Sequence, residues 1–161
     1  MTMMGINQGT QPLISYYHGQ EKKEFCSYIF RIALMCAGIC SAVAFAIGML
    51  CPDPIVGVYI DKTLNLELFE RGVDAFRLYS LAFIPLGAVI ILMGYFTSLE
   101  LPKSAMSISI GRGLVFTSIF VILLAYMFGE FGIWISAAAS ETCALVLALA
   151  LYRKQKRAAV L

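Results

Sequence analysis

Charged residues are scarce in this sequence. Only 14% of its 161 residues are Asp, Glu, Lys or Arg, whereas soluble domains average about 25%. Apolar residues make up 60% of the chain, and its mean hydropathy is +0.83. This composition excludes an ordinary soluble domain. The formal net charge of +2 is also too small to indicate a nucleic-acid partner.

Residues that hold metals or perform catalysis are few. There is one histidine, His18, and the five cysteines include no CxxC pair. We find no Ser/His/Asp set and no phosphate-binding glycine loop in the sequence. The first twenty residues also lack the basic and apolar regions of a secretory signal, so insertion is expected to depend on the spans themselves. We predict no enzyme, no metal site and no cofactor.

The sequence contains long runs without charged residues. Residues 78–99 contain no formal charge, and a helix of that length extends about 33 Å, enough to cross a bilayer. The rest of the chain repeats this pattern. We predict an all-α integral membrane protein with about five transmembrane helices and a short tail, placed as follows: residues 3–19, 25–51, 75–99, 105–128 and 133–152, with the tail at 158–161.

The charges of the connecting segments predict an orientation. Lys22 and Lys23, Lys103 and the basic run at 153–157 fall on one side of the membrane if the spans alternate. The acidic segment 52–74 falls on the other side, together with Glu130. Because basic connections favour the cytoplasm, we expect an inner (plasma) membrane protein whose basic carboxy-terminal tail is cytoplasmic.

The first segment is unusually polar for a membrane span. Gln8, Gln11 and Ser15 recur at helical spacing, so they are expected to share a face that looks inward onto a wet cavity. Pro12 removes one backbone donor, and a kink near Gln8 is expected. The alternative is a frayed terminal segment, and the sequence leaves both interpretations open.

Other local signals predict how the remaining helices begin, bend and pack. Asn65 is a candidate N-cap, and Pro85 predicts a kink in the third span. Small residues at helical spacing predict close helix contacts. They lie in the second and fifth spans: Ala37, Ser41, Ala44 and Gly48, then Ser136, Ser140 and Ala144.

Two charged residues lie deep in adjacent spans. Arg112 lies about 12 Å and Glu141 about 18 Å from the cytoplasmic ends of antiparallel spans, a difference that their long side chains can bridge. We predict that they form an ion pair, since an unpaired charge there costs roughly 2.5 to 3.5 kcal/mol. Arg31 and Arg77 lie nearer the span ends and are expected to reach the headgroups. Glu141 is either a protonatable or cation-binding group or part of a structural pair, and the structural interpretation is favoured because an arginine keeps a carboxylate ionised.

Four stretches carry a resemblance to a known family. They are GINQGTQPLISYYHGQEKKE at the start, AFRLYSLAFIPLG in the third span, PKSAMSISIGRGLVF in the fourth and FGEFGIWISAAASE in the fifth. In this order and spacing they resemble the carboxy-terminal lobe of multidrug and toxic compound extrusion (MATE) transporters. The resemblance covers nearly the whole chain, with residues 1–157 forming part of one six-helix lobe.

The resemblance implies a transport function. MATE transporters are twelve-helix antiporters with two lobes, which export cationic or amphiphilic compounds in exchange for Na⁺ or H⁺. This chain is similar to helices eight to twelve, so the amino-terminal lobe would be a missing partner and the chain is expected to be a fragment that is inactive alone. The other expected partners are the lipid bilayer and, for the complete transporter, drugs or toxic cations.

The resemblance also implies candidate site residues. The substrate cavity would be lined by Gln8, Gln11, Ser15, Tyr79 and Phe83, and the other motif positions are Pro12, Gly19 and Arg77. Some family members carry an aspartate midway along the tenth helix. This sequence has no acid near Pro85, which leaves the coupling ion open.

Two other functions remain open at this point. The chain could be a small self-associating membrane protein without transport activity, stabilised by its small-residue faces. It could also be part of a lipid-linked sugar flippase, because those proteins share the two-lobe plan.

Overall fold

The computed structural model describes residues 2–62 and 65–157 and is helical almost throughout. A π-helical segment, Gly111–Phe116, joins the sixth and seventh helices. No strand occurs in these residues, which confirms the all-α prediction; the predicted tail at 158–161 lies outside them. The α-helices are Thr2–Gly19 (α1), Lys23–Leu50 (α2), Pro52–Gly57 (α3), Leu66–Ser80 (α4), Phe83–Ser98 (α5), Pro102–Ile110 (α6), Thr117–Phe128 (α7) and Glu130–Arg157 (α8).

Helix α5 lies at the centre of the bundle. It packs against α1, α2, α6 and α8, and ten of its 16 residues are buried. Its side chains are apolar on all sides, as expected of a helix that is enclosed rather than amphipathic. On one side Phe30 packs against Tyr95, with ring centroids 4.2 Å apart.

Fewer helices meet the requirements for a membrane span than the five predicted. By length and hydropathy, α2, the continuous helical run Pro102–Phe128 and α8 qualify, and the bent pair α4–α5 adds a fourth. The first predicted span, 3–19, is a helix but lies outside this set, because its glutamines and other polar residues lower its hydropathy. The described chain is therefore a multi-pass helical protein with three or four candidate spans.

The third predicted span, 75–99, is two helices rather than one. Helix α4 begins at Leu66, and α4 and α5 meet at a bend of 42°. The break lies at 81–82, ahead of Pro85. Pro85 has no N–H to donate to the carbonyl four residues earlier, and its ring crowds that carbonyl, so the helix breaks there and not at the proline. Helix α1, by contrast, is one continuous helix although it contains Pro12. The sequence feature that predicted a kink near Gln8 therefore causes no break in the helix.

Small residues are buried on the faces of α2 and α8 where close helix contacts are predicted. On α2, Ala37, Ser41 and Gly48 are buried, while Ala44 is half-buried. On α8, every fourth residue from 132 to 148 is buried, and these are Gly132, Ser136, Ser140, Ala144 and Ala148. A stripe without large side chains lets neighbouring backbones approach closely.

The two ends of the bundle differ in charge. At the acidic end, α3 and α4 enclose a small separate core of Val56, Phe69 and Val73, and Arg71 lies 3.5 Å from Glu130 at the start of α8. At the basic end, the Gln155 side chain near the end of α8 donates to Ser104 Oγ at 3.2 Å. The start and the end of α8 therefore contact opposite ends of the bundle.

Asn65 caps α4, as the sequence predicts. The Leu68 N–H donates to Asn65 Oδ1 at 3.0 Å, and Asn65 has extended backbone angles. Replacing Asn65 with alanine is expected to lower the free energy of unfolding by about 1 kcal/mol, because an N–H in the first turn loses its acceptor. Thermal unfolding in detergent measures this. Asn65→Asp keeps an acceptor and is the control; equal losses in both variants would contradict the capping role.

Candidate functional site

Arg112 and Glu141 meet between two candidate spans. Arg112 lies in the π-helical segment, and its Nε donates to Glu141 Oε1 in the middle of α8 at 2.6 Å. The two side chains are 27% and 13% exposed. A charge-assisted hydrogen bond of this length is among the strong polar contacts of a protein. The structure therefore brings together the two charged residues that the sequence places deepest.

The backbone around Arg112 is not an ordinary α-helix. In a π-helical turn the backbone bonds reach one residue further than in an α-helix, and such turns are common at functional sites. Here the Thr117 hydroxyl donates to the Arg112 carbonyl, five residues earlier, at 2.6 Å. Sequence reasoning missed this turn. The Gly-Arg-Gly sequence at 111–113 is the signal that could have indicated it.

One oxygen of the Glu141 carboxylate is left without a partner. Oε2 is buried and accepts no hydrogen bond from the described part of the chain, whereas Oε1 accepts from Arg112. A carboxylate in this state has an open acceptor position, and burial of an unpaired acceptor is costly. Chemically, Glu141 can accept a proton or contact a small cation at Oε2 while Arg112 holds Oε1.

An apolar cavity of about 560 Å³ lies beside this pair. Side chains of α1, α2 and α5 form most of its wall, including Met3, Val43, Phe83 and Leu86, and Arg112 contributes the charged part. A mostly apolar cavity with a single charged group is typical of a small-molecule site. Arg112 thus connects the ion pair to a space of ligand size.

The polar residues of α1 lie on more than one side of the helix, and Ser15 Oγ donates to the Ser98 carbonyl of α5 at 3.3 Å. Gln8 and Ser15 are exposed and Gln11 is half-buried, whereas Asn7 and Ile14 are buried against the bundle. Gln8 is therefore not packed within this chain, and the predicted place of Gln8, Gln11 and Ser15 on a wet cavity stays a prediction. Asn7 packs inward instead because Gly94 of α5 leaves room for its amide; a Cβ at that glycine would overlap Asn7 Oδ1.

The remaining predicted cavity residues do not line one cavity. Phe83 lines the apolar cavity beside Arg112, but Tyr79 lines a second cavity of about 460 Å³ at the acidic end. The break at 81–82 separates them, although their rings still meet edge to face at 6.0 Å. Within this chain Tyr79 and Phe83 therefore line separate spaces on either side of the α4–α5 bend, and the predicted substrate cavity stays a prediction.

The other motif positions lie away from the ion pair. Pro12 is exposed, and Gly19 is the last residue of α1. Arg77 is also exposed, with its Nη1 3.9 Å from Asp74 on the same helix. Residues 2–62 and 65–157 contain no group of three or more side chains suited to hold a metal ion.

Comparisons with known proteins agree with this architecture. The family model MatE matches residues 1–127. A solved structure of the MATE multidrug transporter DinF-BH, determined in complex with a ligand, superposes with a TM-score of 0.86 at 29% sequence identity, over 95% of this chain. The chain spans 34% of that transporter chain. No curated protein matches.

Proposed function

The chain belongs to the MatE family, and from this premise we propose that it forms part of the carboxy-terminal lobe of a membrane exporter of cationic or amphiphilic compounds. Its likeness to a solved multidrug transporter supports this role. So does the apolar cavity of about 560 Å³ beside a half-buried ion pair. The proposed exporter is driven by Na⁺ or H⁺ entering in exchange for the exported compound.

The observation that carries the proposal is the open oxygen of Glu141. While Glu141 is ionised, it neutralises Arg112 at the edge of the cavity. Once a proton or Na⁺ occupies Glu141, Arg112 presents an uncompensated positive charge to that cavity. A cationic compound there is then repelled, because like charges in a low-dielectric site interact strongly. The two cations would exclude each other, and mutual exclusion is what an antiporter requires.

Transport is proposed to need more than this chain. The solved transporter chain is matched over only 34% of its length, and transporters of two lobes work by rocking one lobe against the other. We therefore expect the chain alone to export nothing. The basic end, with Lys103 and the run 153–157, is proposed to face the cytoplasm.

A hybrid transporter tests the proposal. Residues 2–157 of this chain replace the matching part of the solved MATE transporter, and drug-sensitive cells expressing the hybrid are loaded with a fluorescent organic cation. The hybrid is expected to lower accumulation of the cation, whereas the chain alone leaves accumulation unchanged. Collapsing the Na⁺ or the H⁺ gradient separately identifies the coupling ion.

Glu141→Gln in the same hybrid tests the role of the carboxylate. Export is expected to fall at least about tenfold, because the neutral amide cannot exchange a cation. Glu100→Gln, which removes an exposed carboxylate at the basic end, is the matched control and is expected to export normally. A folded hybrid that does not export would overturn the transport role, and normal export by Glu141→Gln would assign the pair to structure alone.

A further inference from the structure

A groove of about 400 Å³ lies on the outward side of α2, at the basic end of the bundle. We call it the basic groove, and its lining residues are Lys23, Glu24, Ser27, Tyr28 and Arg31. The opposite side of α2 packs into the bundle through Cys26, Phe30 and Ala33. Because the two sets alternate at helical spacing, the groove faces away from the packed core. It shares no residue with the cavity beside Arg112.

The basic groove carries more positive than negative charge. Lys23 and Arg31 supply two cations and Glu24 one anion, which leaves one surplus positive charge. The basic run 153–157 of α8 lies close by, since Tyr152, the residue before it, stacks on a phenylalanine ring of α2 with ring centroids 5.6 Å apart. The groove therefore lies in a region of positive potential, which favours an anionic ligand.

Arg31 is the residue of the groove that most needs an anionic partner. It lies eight residues after the start of α2, about 12 Å along the helix axis, in a helix long and apolar enough to span a membrane. Its side chain is exposed and forms no ion pair with residues 2–62 or 65–157. An arginine this far into a span requires an anion or a route to the headgroups.

An apolar stripe leads from the groove towards the middle of α2. Tyr28, Ile32 and Met35 follow one another at helical spacing, and all three side chains are exposed. A tyrosine near the end of a span is typical of the headgroup level of a membrane. Alkyl chains can lie along such a stripe while the polar part of the same molecule lies in the groove. Charged residues followed by apolar ones match the order of groups in a phospholipid.

We propose that the basic groove binds the headgroup of an anionic phospholipid, whose acyl chains lie along the stripe of Tyr28, Ile32 and Met35. The Arg31 guanidinium can donate two parallel hydrogen bonds to a phosphate, and Lys23 adds a second cation. Basic pockets beside transmembrane helices bind anionic headgroups through the same chemistry. Binding here requires neither export nor the Arg112–Glu141 pair.

A simpler explanation of Arg31 is that it reaches the nearest phosphate of any lipid. Long basic side chains near the end of a span do this in general. That explanation predicts no preference between an anionic and a zwitterionic lipid, because both carry a phosphate. It also gives Arg31 no more weight than any other basic residue at the same end of the bundle.

Native mass spectrometry of the purified full chain distinguishes the two explanations, because it resolves how many lipid molecules each protein holds. Phosphatidylglycerol and phosphatidylcholine with identical acyl chains are titrated separately in the same uncharged detergent. Phosphatidylglycerol is expected to bind at least about fivefold more tightly, which is the factor that one basic residue near a membrane surface contributes. Equal binding of the two lipids would overturn the proposal.

A competition experiment separates a lipid from a free phosphate ester. Glycerol 3-phosphate carries the phosphate without acyl chains, and it is expected not to displace phosphatidylglycerol at equal concentration, because buried methylene groups supply much of a lipid's affinity. Displacement at equal concentration would assign the groove to a soluble phosphate ester and overturn the assignment to a lipid.

Three variants place the binding at the basic groove. Arg31→Gln is expected to weaken phosphatidylglycerol binding about fivefold, whereas Glu24→Gln removes a competing anion and is expected to strengthen it. Lys103→Gln makes the same change in net charge as Arg31→Gln, at an exposed position of the same end outside the groove, and is expected to bind normally.

Two outcomes with these variants would contradict the proposal. One is unchanged affinity in both Arg31→Gln and Glu24→Gln. The other is an equal loss in Arg31→Gln and Lys103→Gln, which would show a general attraction to the basic end. If Arg31→Gln fails to fold, Glu24→Gln decides.

Discussion

Alanine in place of Gly132 is expected to lower the free energy of unfolding by about 3 kcal/mol, a large effect for one methyl group. A Cβ at this position would overlap the Leu124 backbone carbonyl and lie 2.9 Å from the Ala125 nitrogen. Backbone atoms of a helix cannot move aside as the end of a flexible side chain can. The turn between α7 and α8 also has little freedom, because Gly129 has φ of +62°, a value that favours glycine.

Gly38→Ala is the matched control for this prediction. Gly38 lies on the exposed side of α2, and a Cβ there meets nothing within 4 Å. Alanine is a better helix former than glycine, so this variant is expected to be neutral or more stable by up to about 1 kcal/mol. Thermal or denaturant unfolding in the same detergent measures both. Similar stabilities in the two variants would show that α7 and α8 are not in close contact.

Replacing Arg112 alone in the Arg112–Glu141 pair is expected to lower the free energy of unfolding by about 3 kcal/mol. Arg112→Met leaves the Glu141 carboxylate buried without the donor that Arg112 supplies to it within the described residues, and an uncompensated buried charge is expensive. Glu141→Gln costs less, because the amide oxygen still accepts a hydrogen bond. Unfolding of each variant in the same detergent and buffer gives these values.

The double variant Arg112→Met with Glu141→Gln completes a double-mutant cycle, which measures the interaction between the two residues. It is expected to recover most of the loss of Arg112→Met, since replacing both members of a buried pair is often close to neutral. Arg77→Met, which removes an exposed guanidinium whose carboxylate partner is also exposed, is the control and is expected to change stability by under about 1 kcal/mol. Additive losses in the double variant would mean that the two residues do not interact.

Local chemistry made much of the fold predictable from the sequence. Residue types with strong local preferences acted as expected: Asn65 caps a helix, and the small residues of α8 are buried. Even the break in the third span follows from Pro85 once the crowded carbonyl four residues earlier is considered. The ion pair of Arg112 and Glu141 could be predicted from their positions inside two spans, because a charge there needs a partner, water or a route to the headgroups.

What could not be predicted depends on packing between distant segments. Gln8 and Asn7 are neighbours with similar side chains, and only the space left by Gly94 on another helix decides that Asn7 is the buried one. Tyr79 and Phe83 are about one helical turn apart in sequence, yet within this chain they line different cavities. The bend between them, and not their spacing, assigns each to a different space.

The bend at 81–82 also divides the molecule mechanically. The core formed by Val56, Phe69 and Val73 is distinct from the larger core around α5, and within the chain from α4 to α5 only a two-residue joint connects them. Because α4 and α5 are set at 42° to one another, α4 turns towards α3 and α8 while α5 stays at the centre of the bundle. One bent span thus contributes to two cores that a straight helix would not reach together.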